Sequence, residues 1–193
     1  MRYIVVFSYI LLIFLSSCNP DVKIVKTGLE DMVNALPKNI NLDSLRLKGE
    51  VVSNYQVKYL LTNQDQSVDL IVTLFDEHLD ERLKEYRKKL PAIAAKNGIP
   101  VSELNYGIRY KTTNFCKTVR TVLKSCEANE EHTSFYKTDN YIAGFTQNRA
   151  DVLIFNRYCL SIYMHSAKKL SHNEFQPFIF SYLNSFNFNE LQQ

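Results

Sequence analysis

The chain has 193 residues, 46% of them hydrophobic, and twenty-three Lys and Arg against twenty Asp and Glu give a formal charge of +3. That near-balance excludes the strong basic excess of a nucleic-acid binder. Only five glycines occur, at 28, 49, 98, 107 and 144, which leaves neither a glycine-rich loop to cradle phosphate nor a nucleophile elbow.

The chain opens with Met1 and Arg2, an apolar run from Tyr3 to Phe14, and then Leu15, Ser16, Ser17 and Cys18. This is the order of a secretory signal: a positive start, a short apolar core and a small-residue cleavage site. The run falls short of the ~20 apolar residues that span a bilayer. Leu15 to Cys18 resembles the lipobox of bacterial lipoproteins, where a diacylglycerol thioether forms on the cysteine and the signal is cut just upstream. Ser17 stands where that box usually has Gly or Ala. The resemblance implies that residues 1 to 17 are a signal peptide and that Cys18 is the acylated first residue, the partner being the membrane that its lipid enters. Residues 18 to 27 are then a polar tether, and 28 to 193 one folded domain of a size that buries roughly 70% of its unfolded surface. Asn19, where sorting to the inner membrane uses Asp, points to the outer membrane, facing the periplasm.

With Cys18 lipidated, Cys116, Cys126 and Cys159 remain, an odd number in a compartment that permits disulfides. Cys116 with Cys126, closing a short loop around Lys117 to Ser125, is the candidate pair. The spacing alone does not decide the pairing, because it does not show which Cα atoms come within bonding range.

Leu29, Met32, Val33 and Leu36 recur at helical spacing up to Pro37. Residues 37 to 49 read as an irregular connection. From Val51, the shared parity of Val51, Tyr55, Val57, Tyr59 and Leu61 predicts one half-buried strand, and Val68, Leu70, Val72 and Leu74 predict its antiparallel neighbour after a polar turn at 62 to 67. Asp76 to Asn97 reads as a long helix with Leu79, Leu83, Tyr86, Leu90 and Ile93 on one side, ended by Gly98 and kinked or divided at Pro91.

After Pro100, alternation of Leu104, Tyr106, Ile108 and Tyr110 predicts a strand, with further short strands over 115–123, 132–137, 141–146, 152–155 and 158–165. Residues 147 to 151 and an Asn156-Arg157 corner separate the later ones. Phe175, Phe178, Ile179, Tyr182, Leu183 and Phe186 predict a closing helix, capped at Asn173 so that Pro177 stays near its first turn. The expected class is therefore α+β, an antiparallel sheet packed by a long central helix and a C-terminal helix.

The run from Val152 to His165, followed by Phe178 to Asn187 with Tyr182, Leu183, Asn184, Ser185 and Phe186 at its end, resembles the end of PsbP-like domains, the group that includes DcrB-type lipoproteins. The resemblance implies an antiparallel sheet with helices on it, and a family of accessory, chaperone-like or assembly roles with no shared catalytic residues.

The residues themselves offer little chemistry. Asp76, Glu77, His78, Asp80 and Glu81 form an acidic cluster, but carboxylates at a helix start are favoured by the helix dipole without any metal. His132, His165 and His172 lack ligand spacing, so no metal or other cofactor is expected. Arg82, Lys89 and Lys96, seven apart, read as a solvated face. Tyr55, Tyr59, Tyr106 and Tyr110, placed on strand faces, are the candidate binding surface. The expectation is a non-enzymatic envelope protein that binds another envelope protein or a small apolar ligand. A toxin-neutralising immunity lipoprotein and, below it, a small hydrolase are the alternatives.

Overall fold

The computed structural model describes residues 29–41, 44–53, 56–128, 134–146, 148–166 and 172–192. The signal-like segment, Cys18, the tether, Tyr55 and His132 lie outside the described residues. The elements are, in order, α1 (Glu30–Ala35), β1 (Asn39–Ile40), β2 (Leu45–Ser53), β3 (Gln56–Thr62), β4 (Val68–Asp76), α2 (Leu79–Asn97), α3 (Val101–Ala128), β5 (Ser134–Lys137), β6 (Tyr141–Phe145), β7 (Arg149–Ile154), β8 (Tyr158–Ser166), α4 (His172–Asn184) and a 3-10 turn at Phe188–Leu191. The class is α+β, as the patterning predicts.

One antiparallel sheet runs in the order β1-β2-β3-β4-β8-β7-β6-β5. It consists of two meanders, β1 to β4 and β5 to β8, joined where β4 pairs β8 from Val68↔Ser166 to Asp76↔Tyr158. Short turns explain each meander. Asn63 accepts from the Val68 amide at 3.0 Å and donates to Ser67 at 3.0 Å, closing the β3–β4 turn. Phe155 and Asn156, at φ 47° and 53°, make the mirror-image turn that suits the right-handed twist between β7 and β8.

Both faces of the sheet are covered. On one, Tyr59, Leu61, Val72, Val152, Leu160 and Ile162 meet Met32 of α1 and Phe175, Ile179 and Tyr182 of α4 in the main core. On the other, α3 lays Cys116, Val119 and Leu123 against Phe75, Leu153 and Cys159.

Several expectations are overturned. The single strand expected from Val51 to Leu61 is two strands, β2 and β3. An irregularity between Leu47 and Gly49 shifts the register by one residue, so that Val51 opposes Lys58 and not Val57. The irregular connection expected before it contains β1 and the first half of β2. The strands expected at 104–111 and 115–123 are one 28-residue helix, α3. Its buried set is Ile108, Thr112, Cys116, Val119, Leu123 and Cys126, spaced by threes and fours, which is a helical stripe. Over a few residues the exposed Tyr106 and Tyr110 imitate alternation with it. The helix expected from Asp76 starts at Leu79, because Asp76 ends β4, and it continues through Pro91. Gly98, left-handed at φ 64°, ends it as expected. α4 begins at His172, so Asn173 is a helical residue and not the cap.

The disulfide is also different. Cys116 of α3 bonds Cys159 of β8, with Cα atoms 5.4 Å apart, and not Cys126. Cys126 lies ten residues along the same helix, about 15 Å by helical rise, and is buried under β6.

Candidate functional site

The side of the sheet facing α3 is laid down in rows by strand register. Phe75, Cys159, Leu153 and Ile142 form an apolar row beneath α3. The next row is small and polar: Thr73, Ser161, Asp151 and Gly144. Beyond it stand Ile71, Tyr163 and Arg149. Beside α3, over the β4, β8 and β7 part of the last two rows, a cleft of about 390 Å³ opens, walled by Asn114, Phe115 and Thr118 and floored by Ile71, Thr73, Ser161, Tyr163 and Arg149.

The cleft has a charged base. Arg149 and Asp151, two apart on β7, point to the same face and pair at 2.8 Å. Asp151 is fully buried, whereas the Arg149 side chain is 34% exposed. Burial pushes the Asp151 carboxyl above its ordinary value of 3.8, while the Arg149 guanidinium and the Ser161 hydroxyl pull it the other way. Arg149 Nε and Asp151 Oδ2 are buried and have no hydrogen-bond partner among the described residues. Such groups cost roughly 1–3 kcal/mol each if nothing meets them; Asp151 lies beneath the floor, while the exposed part of the Arg149 side chain lines the cleft, where a ligand or water can meet it.

The disulfide makes this cleft rigid. Cys116 follows Phe115 of the wall, and Cys159 lies two residues before Ser161 of the floor, so the bond pins wall to floor. At the end of the sheet, Arg120 of α3 donates to Asn156 Oδ1 at 2.9 Å and Asn156 O at 3.0 Å and pairs with Glu77.

The predicted tyrosine surface does not assemble. Tyr59 is fully buried in the opposite core and donates its hydroxyl to Val33 O at 3.3 Å. Burial, and then the charge of Glu50, raises its pKa. Tyr106 and Tyr110 stack on α3 with ring centroids 5.8 Å apart, exposed to solvent on the other side of the sheet from Tyr59. The acidic cluster is also divided: Asp76 is held by Arg157 and Glu77 by Arg120.

The residues that do come together, Arg149, Asp151 and Ser161, were placed by the sequence pattern in a loop or an unremarked strand. A signal was present: Arg149, Asp151 and Leu153 alternate with Ala150, Val152 and Ile154, so two charges sit on one face of a strand. No family model, curated protein or solved structure matches the chain.

Proposed function

We propose that this chain is a lipid-anchored cell-envelope protein that works by binding, taking a partner protein's side chain or a small ligand into the cleft between α3 and the sheet. The observation that carries the reading is the Cys116–Cys159 bond, which holds a preformed cleft open over an incompletely satisfied Arg149–Asp151 pair. A fixed cleft avoids the ordering cost that a flexible site pays on binding. The same bond favours an oxidising compartment, in keeping with the signal-like segment that ends at Cys18 and with a place facing the periplasm. Ile71, Phe115 and Tyr163 fit an apolar body, and Thr73, Asn114, Thr118 and Ser161 fit a hydrogen-bonding end. The likeness of residues 152 to 187 to PsbP-like domains, with their accessory and assembly roles, is consistent with this reading.

The test places a photo-crosslinking residue at Thr118 in intact cells, with Thr121, on the exposed side of α3, as the control. A defined adduct at Thr118, absent at Thr121 and lost with Cys18→Ser, is expected. Equal labelling at both positions sinks the cleft, and an adduct indifferent to Cys18→Ser sinks the lipid anchor.

A further inference from the structure

Charge is unevenly spread along the chain. Residues 79 to 128, the α2–α3 hairpin, hold eleven Lys and Arg against five Asp and Glu, while the rest holds twelve against fifteen. Lys84, Lys89 and Lys96 of α2 are exposed. On α3, Tyr106, Tyr110, Lys117 and Lys124 recur at spacings of four, seven and seven, which puts them on one side of the helix. That side is not the buried stripe through Ile108, Thr112 and Val119, and it borders the cleft wall at Asn114 while Phe115 and Thr118 face away from it. At 67% and 57% exposure, Tyr106 and Tyr110 are the two most exposed large hydrophobic side chains among the described residues. They lie against each other and not against the core.

We propose that the outer side of the α2–α3 hairpin docks on an anionic phospholipid surface, with Tyr106 and Tyr110 entering the headgroup layer and Lys117, Lys124, Lys89 and Lys96 facing lipid phosphate. Two properties select this occupant. The charge is positive where the rest of the chain is net negative, so an anionic plane attracts this side and repels the others. Tyrosine is suited to the membrane interface because its ring is apolar and its hydroxyl stays wet. An acidic protein would answer the lysines but needs no paired, protruding rings. The proposal goes beyond the cleft and does not depend on a lipid at Cys18.

The chain has no tryptophan, so Tyr106→Trp makes a single local reporter. The test uses the full chain carrying Cys18→Ser with Tyr106→Trp, mixed with vesicles of phosphatidylcholine alone or with added phosphatidylglycerol. A blue shift of the emission and quenching by brominated acyl chains are expected only with the anionic vesicles, and are reversed by about 0.5 M salt. Lys117→Glu with Lys124→Glu lowers partitioning at least about twenty-five-fold, each lysine near an anionic surface being worth a factor of about five. Lys89→Glu with Lys96→Glu, seven apart on one side of the neighbouring helix, weakens it in the same sense, so the result does not hang on one variant folding. An unshifted spectrum on anionic vesicles overturns the proposal, even if the chain sediments with them through its N-terminal segment. An equal shift on both vesicle types also overturns it.

Discussion

Arg157 grips Asp76 with two parallel hydrogen bonds, Nε to Oδ1 at 2.9 Å and Nη2 to Oδ2 at 2.7 Å, across 81 residues of chain. Asp76 is 1% exposed, and its Oδ1 also accepts the His78 amide at 2.9 Å where the chain leaves β4 for α2. The guanidinium lies over the Tyr158 ring, 5.0 Å from its centroid. One buried carboxylate thus joins the end of the first meander to the start of the last strand.

Removing one partner of this pair leaves a buried charge alone. Arg157→Ala is expected to cost about 3 kcal/mol in urea denaturation, near the lower end for buried pairs because the arginine is partly exposed. Asp76→Leu combined with Arg157→Met should cost clearly less than the two single changes added. Strict additivity would show that the two residues do not act as a pair.

The disulfide closes a loop with a sequence separation of 43 residues. Chain entropy assigns such a loop about 4 kcal/mol. Cys159→Ser should lower stability by that order, and proteolysis of the unreduced chain should yield a peptide joining Cys116 to Cys159. A peptide joining Cys116 to Cys126 would contradict the fold at α3.

Gly144 lies directly beneath α3. A methyl group there would meet Cys126 Sγ at 2.9 Å, Cys126 Cβ at 3.1 Å and Leu123 Cδ2 at 3.2 Å. Gly144→Ala must therefore lift the helix from β6, and overpacking of this kind costs about 1–3 kcal/mol. Adding Cys126→Ala should recover part of the loss by removing the sulfur, which thermal melts of the single and double variants would show.

Asp151 carries a pH signature. Its carboxyl titrates above the ordinary 3.8, so between that value and its own the folded chain holds a proton that the unfolded chain has released. Stability from this group is complete at lower pH and is lost as pH rises through the folded value. Asp151→Asn should flatten the fall in stability that begins near pH 4, measured by urea midpoints across an acid series. An unchanged slope would mean that the carboxyl titrates normally.

What was legible in the sequence was whatever had a short-range cause. The second meander was readable because its apolar runs are short and the Asn156-Arg157 corner punctuates them, and the α+β class followed. The end of α2 was readable at Gly98. What failed had causes outside the local window. Tyr106 and Tyr110 imitate a strand because a helix's exposed side, read over a few residues, can alternate with its buried side. The irregularity near Gly49 inverts the parity of β2, which no count of alternation detects. The cleft depends on which rows of β4, β7 and β8 come level, and that register is set by pairing across the whole chain. The cysteine pairing was hidden for the same reason, since a helix holds Cys116 and Cys126 apart while bringing Cys116 over a strand far along the sequence.

The seam between β4 and β8 also governs when this molecule can exist. The strands on its two sides are separated by the entire helical hairpin and by three other strands, so closing the sheet must wait for the last strand and for a large loss of chain freedom. Pairing so distant in sequence makes folding slow. A chain stopped before Tyr158 would present both β4 and β7 as bare edges, open to strands of other molecules. The protein is thus expected to acquire its native shape only after the residues from Tyr158 onward are present, and a nascent chain would stay extended or seek a chaperone until then.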